Sequence, residues 1–464
     1  MSGFSSLNVA VSGLAAAQRA MDVTGQNVVN ANTPGYSRQR VELQELGAQA
    51  GSSFFTGHGA FVGGVTVAAV SRIRGAFVEA AAAAANGRQS ALASQTDALS
   101  AVQTAFAEPG STGLQAAMDS FYASWHDLAI NSTNPAAGSV VIQKGIAVAD
   151  QLHALSSAIG NEWDTARNAL ADVVTQANQA AKDLADINGK VAAGLAAGRP
   201  VNELEDQRDL LTRKLATLVG GVASVGQDGQ ASVSVNGVAL VTGTNPQSFS
   251  LAGAGTLSAA AGNPPKVMWG TTVVPVESGS AAGYLAVLGG DLPTMSAQLD
   301  AVATGLRDMV NTVHQTGFQA DGSPAGAFFA GSDAATLTVV PTDPSQLAVT
   351  AVAGTVDGSV AQRIADLSDE RLQQTTLGTT GPSAQWRTMT TMLGVKVQSL
   401  KNAGVVQDSV VAAAEAAVQT DAGVNLDEEM TNLLQYQRSY QAAARVVSTV
   451  DDILDTLINH TGIG

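Results

Sequence analysis

Two stripes of apolar residues, one near each end of the chain, repeat every seven positions. Seven-residue spacing of this kind places side chains on one face of an α-helix that packs against a partner. Near the N-terminus it predicts a helix of about 25 residues. Pro34 disfavours the helical conformation at Thr33, so this helix must end near Asn32. The members of the N-terminal stripe are Phe4, Leu7, Val11, Leu14, Met21 and Val28.

The second stripe begins after Asn425, which is a plausible N-cap. Glu428, three residues later, would complete a capping box. Such helices gain little stability alone. Both helices could pack on the protein's own core, or they could pair with each other and with further copies, and periodicity leaves both open. The members of this stripe are Leu426, Met430, Leu433, Tyr440, Val447, Val450, Leu454, Leu457 and Ile458.

Between the stripes, the helical pattern dominates but is interrupted. Residues 40–75 indicate short extended pieces with glycine turns, and 317–356 are irregular. Residues 221–279 alternate Ser, Thr and Val with turn residues, and Asp228-Gly229 and Asn236-Gly237 are hairpin signals. Helices are predicted over 76–107, 111–130, 136–197, 202–219, 280–316 and 384–420.

These elements predict a mainly α, discontinuous multidomain protein with a β insertion. Residues 1–75 with 421–464 would form a terminal domain that contains the N- and C-terminal helices. Residues 76–220 with 280–420 would form a helical middle domain with minor β structure. Residues 221–279 would form a small all-β outer domain.

Composition excludes several classes of function. The chain has 464 residues and a formal net charge of −16, and its 23 Lys and Arg form no run that could neutralise a row of phosphates. No apolar stretch approaches the roughly 18 residues of a membrane span. The N-terminus lacks the basic and apolar regions of a cleaved secretion signal. There is no cysteine, which excludes disulfides and thiolate chemistry.

No motif indicates catalysis or cofactor binding. The glycine cluster Gly57, Gly59 and Gly63 departs from the dinucleotide-binding spacing and is better explained by turns. No nucleophile elbow or phosphate loop occurs. The histidines show no metal-binding spacing. We therefore expect no enzyme activity, cofactor or metal site. The histidines are His58, His126, His153, His314 and His460.

Four segments carry a resemblance to a known family. They are ANTPGYSRQRVEL at 31–43, VNLDEEM at 424–430, VNTVHQTGF at 310–318, and GGVTV at 63–67, which leads to Arg72 and Arg74. Together they resemble the bacterial flagellar axial proteins, which include the rod, hook and hook-associated proteins. The helical middle is more similar to the hook-associated proteins than to the β-rich hook protein.

The resemblance implies a structural subunit whose N- and C-terminal helices pair as a coiled coil. The subunit would polymerise through these helices and form the junction between hook and filament. It implies export through the flagellar channel without a cleaved signal peptide, and a place in the extracellular flagellum. The implied partners are further copies of the chain, the flagellar hook protein, hook-associated protein 3 and a flagellar export chaperone.

The expected contact residues lie in the two terminal segments. The N-terminal set would form an assembly interface, and the C-terminal set would serve both assembly and chaperone binding. The N-terminal set is Leu7, Val11, Leu14, Met21, Val28, Asn32, Pro34, Gly35 and Tyr36. The C-terminal set is Leu426, Met430, Leu433, Tyr440, Val447 and Leu454.

Three alternatives remain open at this point. The chain could be another axial subunit, such as a hook or rod protein, which a mostly β middle would support. It could be an axial scaffold with an enzymatic insert at 221–279, which offers Asp228 and Glu277 but no histidine. It could also be a cytosolic coiled-coil binding protein with ordered terminal helices.

Overall fold

The computed structural model of the protein describes residues 2–46, 63–108, 110–456 and 459. Some residues singled out in the sequence lie outside this part of the chain, as does the side chain of Phe4. They are Gly57, His58, Gly59, Leu457, Ile458 and His460.

Helices dominate the described chain. They are α1 (Ser2–Asn30), α2 (Ala76–Phe106), α3 (Leu114–Ile130), α4 (Pro135–Ala196), α5 (Asn202–Val219), α6 (Leu257–Ala260), α7 (Ser280–Ala286), α8 (Leu292–His314), α9 (Ser359–Ala365), α10 (Glu370–Leu377), α11 (Pro382–Ala422) and α12 (Leu426–Asp455). A π-helical turn, Val287–Asp291, joins α7 to α8.

The strands are short and form antiparallel pairs. They are β1 (Gln39–Glu45), β2 (Val65–Arg72), β3 (Val222–Val225), β4 (Ala231–Val235), β5 (Val238–Thr242), β6 (Asn245–Pro246), β7 (Ser250–Ala252), β8 (Lys266–Trp269), β9 (Thr272–Val273), β10 (Phe329–Ala330) and β11 (Thr338–Val339). The sheets are β1–β2, β3–β4–β5–β6, β7–β8–β9 and β10–β11.

Local signals set most of these boundaries. Asn134 caps α4, with its side chain accepting from the Ala136 amide, and Pro135 takes the first helical position. The β4–β5 hairpin turns through Asn236 and Gly237 at φ of 45° and 83°, the left-handed conformation that an Asn-Gly turn provides. The predicted mainly α fold with a β insertion is confirmed.

One large hydrophobic core runs through the helical middle and the β segment, and a small second cluster lies around Ile187, Val191 and Val201. Trp125, Trp163 and Trp386 are fully buried in the large core. Buried residues of β4, β5 and β8 belong to the same core as α4 and α8, so the β segment is packed onto the helices. Contiguous burial of this size supplies most of the driving force for folding.

The segment that follows α8 is fastened to the core by two side chains of α8. The Asn311 amide donates to the Phe329 carbonyl at 2.8 Å and accepts from the Phe328 and Phe329 amides. His314 Nδ1 lies 2.8 Å from the Gly326 carbonyl, and its Nε2 accepts from the Ala348 amide at 3.0 Å. Burial lowers the pKa of His314 to about 4, so the ring is neutral.

The described part of the chain contains no helix of the length and apolar character that a membrane crossing requires.

Candidate assembly interface

Helices α1 and α12 pack against each other in an antiparallel arrangement. The contact joins the C-terminal part of α1 to the first turn of α12 and continues along both helices. We call the facing sides of these helices the terminal seam. The predicted coiled-coil pairing is confirmed, although the described α1 also packs on β1 and β2.

The terminal seam alternates medium-sized and very small side chains. In α1, half-buried Leu7, Leu14, Met21 and Val28 alternate with buried Ala10, Ala17 and Thr24. Small residues at every second seam position allow the backbones to approach closely, because no side chain holds them apart. The residues of α12 in the same periodic positions are Glu429, Leu433, Tyr436, Tyr440, Ala443, Val447, Val450 and Leu454, all buried or half-buried.

Other predicted contact residues lie outside the seam. Val11, Leu426 and Met430 remain 50%, 49% and 49% exposed. Asn32 and Pro34 are exposed in the turn that follows α1. Further apolar side chains on these helices are also exposed, namely Val9, Val29, Leu434, Val446 and Ile453. The paired helices therefore leave apolar residues exposed outside the seam.

One buried amide ties the two ends of the chain together. Asn27 of α1 donates to Glu429 of α12 at 3.0 Å and to the Gln39 carbonyl at 2.9 Å. It accepts from the Gln39 amide at 2.9 Å and from the Tyr36 hydroxyl at 2.7 Å. Arg38 donates to Glu429 at 2.7 Å and to Glu428 at 2.9 Å. These contacts form the Asn27 network.

The Asn27 network places segments from opposite ends of the sequence in contact. Asn425 caps α12 as predicted, with its side chain accepting from the Asp427 and Glu428 amides. The second half of the predicted capping box is wrong. The Glu428 carboxylate pairs with Arg38, because the guanidinium offers a charged donor in place of a main-chain amide.

Both the backbone conformation and the close neighbours of residue 35 require a glycine at this position. Its φ of +81° lies in the left-handed region, and a Cβ there would come within 2.7 Å of the Leu210 side chain on α5. The turn after α1 therefore packs directly on α5. Tyr36 follows, and its pKa is raised to about 12 by burial and by nearby Asp206 and Glu429, so its hydroxyl remains a donor.

A buried group of charges joins the terminal segments to the helical body. Arg72, at the end of β2, contacts Asp206 at 2.7 Å, with Glu205 and Asp209 of α5 each at 2.9 Å. Arg74 contacts Glu79 and Asp209, and Arg208 contacts Asp209 at 2.9 Å. We call this group the arginine–carboxylate cluster. It consists of Arg72, Arg74, Glu79, Glu205, Asp206, Arg208 and Asp209.

The cluster sets three arginines against four carboxylates, and its side chains are buried or half-buried. The side chains of Arg72 and Asp209 are 7% and 5% exposed, so each depends on its partners for stabilisation. Burial and the neighbouring Arg72 and Arg208 lower the pKa of Arg74 to about 9, which leaves it protonated at neutral pH. Asn202 adds neutral bonds to Gln39 and to the Val70 carbonyl.

Sequence reasoning identified Arg72 and Arg74 by resemblance but missed their α5 partners. Asp206, Arg208 and Asp209 appear in the sequence as ordinary charges of a short helix. The described residues contain no group of three or more His, Asp or Glu placed to hold a metal ion.

Comparison with known proteins identifies the family. A model described as the flagellar hook-associated protein FlgK helical domain matches residues 99–329. A model for the C-terminal part of flagellar basal body rod FlgEFG proteins matches 419–460, and one for flagella basal body rod proteins matches 7–36. The last two matches cover most of α12 and α1, the helices of the terminal seam.

Full-length relatives agree with these matches. Flagellar hook-associated protein 1 of Bacillus subtilis (strain 168) is 28% identical over 505 residues, covering 100% of this chain and 99% of the relative. The protein of the same name from Salmonella typhimurium is 25% identical over 561 residues, covering 98% and 99%. The chain belongs to the flagellar hook-associated protein 1 family. The resemblance seen in the terminal motifs is thereby confirmed, as is the expected role as a structural flagellar subunit.

A solved structure shares the fold. The flagellar hook junction protein FlgK from Burkholderia pseudomallei superposes with a TM-score of 0.64 at 15% identity, covering 73% of this chain and 99% of that one. The helical middle with a β insertion is thus a fold that this chain shares with that solved structure. The alternative of a hook or rod subunit would have been supported by a mostly β middle. The middle is mostly helical, so that support is absent.

Proposed function

We propose that this hook-associated protein 1 family member is a non-enzymatic connector that polymerises through the outer sides of α1 and α12 at the junction between hook and filament. The predicted domains would have different places in the assembly. Residues 1–75 with 421–464 form the axial core. Residues 76–220 with 280–420, and the β segment 221–279, lie outside it.

One observation carries this proposal. The terminal seam buries one side of α1 and α12 and leaves further apolar residues of both helices exposed. Val11 and Met430 are about half exposed. Exposed apolar residues on a two-helix unit add stability when a neighbouring unit covers them. Because each copy presents the same two helices, coverage by neighbours produces a repeating assembly.

The proposed partners follow from this position in the flagellum. Copies of the chain would pack side by side, with hook protein on one side of the layer and hook-associated protein 3 on the other. The protein would reach this position by export through the flagellar channel without a cleaved signal peptide. A flagellar export chaperone would hold the α12 face of Leu433, Tyr440, Val447 and Leu454 before export.

Chaperone and α1 would exclude each other under this proposal. The α12 residues named for chaperone binding are the ones that α1 covers in the terminal seam. The chaperone-bound chain would therefore have an open seam, and closing the seam would release the chaperone.

The experiment that tests assembly replaces exposed apolar residues without touching the seam. Val11→Asp combined with Met430→Asp should prevent attachment of filaments to hooks, because buried carboxylates would face the neighbouring copy. The matched control is Gln18→Asp with Gln437→Asp, at exposed polar positions of the same helices. Filament attachment is scored by electron microscopy, and the fold by circular dichroism. Normal filaments on the Val11 and Met430 variant would refute the proposed interface.

A further inference from the structure

A groove of about 590 Å³ lies between α2, α5 and β3. Small side chains, Ala80, Ala83 and Ala84, form its α2 wall, and the main chain of β3 forms part of the opposite side. Arg88 of α2 and Arg213 of α5 also line it. Most of the arginine–carboxylate cluster lines the groove as well, so the groove combines an apolar wall, a strand, that cluster and two further cations.

The strand beside the groove is at the margin of its sheet. In the order β3–β4–β5–β6, β3 has a neighbour on one side only, and all four of its residues are exposed. Val222 and Val225 are 66% and 51% exposed. An edge strand presents main-chain N–H and C=O groups to which another extended segment can pair.

The two further cations differ from the arginines of the arginine–carboxylate cluster that line the same groove. Arg72, Arg74 and Arg208 are held by carboxylates of their own chain. Within the described residues, Arg88 and Arg213 form no ion pair, and Nε of Arg213 is buried with no hydrogen-bond acceptor. A buried donor without an acceptor is costly, so the groove favours an occupant that brings carboxylates.

The chain itself offers one strand with this chemistry. Among the strands the structure describes, β1 alone contains Asp or Glu. Its Glu42 and Glu45 are exposed, and Leu43 between them is 52% exposed. As half of a two-stranded sheet, β1 also has an unpaired edge.

We infer that β1 of a neighbouring copy of this chain pairs with β3 in this groove, with Glu42 and Glu45 opposite Arg88 and Arg213. Leu43 of the neighbour then lies beside β3 and covers Val222 or Val225, depending on the register, since these two side chains point to opposite faces of the strand. This inference rests on the proposed assembly and adds a second contact to it, outside the terminal helices.

The contact would repeat from copy to copy. Strand β1 and the groove are different surfaces, so a copy that occupies one neighbour's groove leaves its own groove free for the next. Such a head-to-tail contact closes into a ring or continues as a helix, unlike a two-fold contact that stops at a dimer. It would join the terminal segment of one subunit to the helical body of the next.

Disulfide crosslinking tests this contact directly, because the chain has no cysteine of its own. Leu43→Cys is combined in turn with Val222→Cys and with Val225→Cys, so that two registers are sampled. Flagella are purified from cells whose only copy carries the pair, and then mildly oxidised. We expect a ladder of crosslinked species at multiples of 46.8 kDa on a non-reducing gel.

The matched control is Leu43→Cys with Val273→Cys, on β9, where Val273 is 50% exposed. This pair should give monomer only. Flagella that contain the Val222 or Val225 pairs but yield no ladder, or a control ladder of equal strength, would overturn the inference. Absence of the wild-type protein from flagella would instead count against the proposed function.

Charge reversal provides a second test with a rescue. Arg88→Glu with Arg213→Glu, added to the crosslinking pair, should lower the yield of the ladder at least about tenfold, because like charges would face each other. Adding Glu42→Arg with Glu45→Arg should restore it. An unchanged yield after the first reversal, with the fold intact by circular dichroism, would overturn the assignment of these four residues.

Discussion

At the scale of single residues, the ends of this protein are held by buried polar groups that have fixed partners. Asn27 is 1% exposed and Glu429 is 2% exposed, and each bonds to the other. An amide satisfies donors and acceptors together, which neither an apolar residue nor a charge of the same size could do at this position. The position of α1 relative to α12 is therefore specified as well as stabilised.

Asn27→Ala should open the terminal seam without unfolding the middle of the protein. The change leaves the Tyr36 hydroxyl, the Gln39 amide and Glu429 short of partners, at a cost of about 2 kcal/mol or more. Hydrogen exchange of α1 and α12 amides should accelerate, while α4 stays protected. Asn32→Ala, at an exposed position in the following turn, is the control. Equal exchange in both variants would contradict the role given to Asn27.

His314 should make the stability of the helical body sensitive to acid. Its folded pKa is about 4, below its ordinary value of 6.5, so between these values the unfolded chain binds a proton that the folded chain does not. The free energy of unfolding should therefore fall as pH is lowered through this range, by up to about 1.4 kcal/mol per pH unit.

Denaturant titrations at several pH values measure this effect. His314→Gln should lose the part of the acid sensitivity that the imidazole contributes. His126→Gln, at an exposed position, should keep the wild-type slope. An identical pH dependence in the wild type and both variants would show that His314 is not the responsible group.

At the scale of elements, the terminal seam depends on residues with almost no side chain. Ala10 and Ala17 are 6% exposed each and occupy positions where a coiled coil ordinarily carries a large apolar group. The helices are consequently close, and the larger residues lie at the borders of the contact. A seam built this way is sensitive to added volume.

Ala17→Leu should loosen the seam by roughly 1–3 kcal/mol through overpacking. Because the proposed chaperone binds the α12 face that the seam covers, the variant should bind the chaperone about tenfold more tightly for each 1.4 kcal/mol lost. Ala15→Leu, at an exposed position of α1, is the matched control. Isothermal titration of the full chain measures the affinity. Unchanged affinity in the Ala17 variant would show that the chaperone does not bind the α12 face that the seam covers.

Sequence periodicity anticipated the elements better than the contacts between them. Helices longer than three turns were predicted to within a few residues, since their apolar spacing is long enough to be distinctive. The short helices α9 and α10 were missed, because seven or eight residues contain too few repeats to show a period. The stripe at Leu7 and Leu14 was found, whereas Ala10 and Ala17 were not, since buried alanine looks like any other alanine in an Ala-rich chain.

The charged contacts could not be predicted from the sequence period for a different reason. Asp206 and Asp209 are three residues apart on a short helix, a spacing that is just as common on a solvated surface. Only the approach of β2 and the turn at Gly35 buries them. Such burial depends on residues more than 130 positions away in sequence, and a local pattern contains no trace of it.

At the scale of the whole molecule, α5 fixes the position of the terminal seam relative to the helical body. It contacts the turn after α1 through Leu210 and β2 through the arginine–carboxylate cluster, and it packs on α4. This short helix therefore contacts both halves of the molecule, and Arg74 adds a contact to Glu79 of α2.

Asp209→Ala should uncouple these halves. It removes the carboxylate shared by Arg72, Arg74 and Arg208 and leaves buried cations underpaired, at a cost of roughly 3 kcal/mol. We expect calorimetry to resolve a separate, earlier transition for the terminal segments. Glu203→Ala, at an exposed position of the same helix, should leave the wild-type profile unchanged. A single shifted transition for Asp209→Ala would show that the halves unfold together regardless of the cluster.

The Asn27–Glu429 bond spans 402 positions of sequence and has a consequence for protein synthesis. The ribosome makes α1 first and its partner α12 only after nearly all of the chain. A polypeptide that stops early has no residue with which to satisfy Asn27 or to cover Ala17. Closure of the seam thus acts as a test of completeness, and incomplete translation products would be left outside the finished structure.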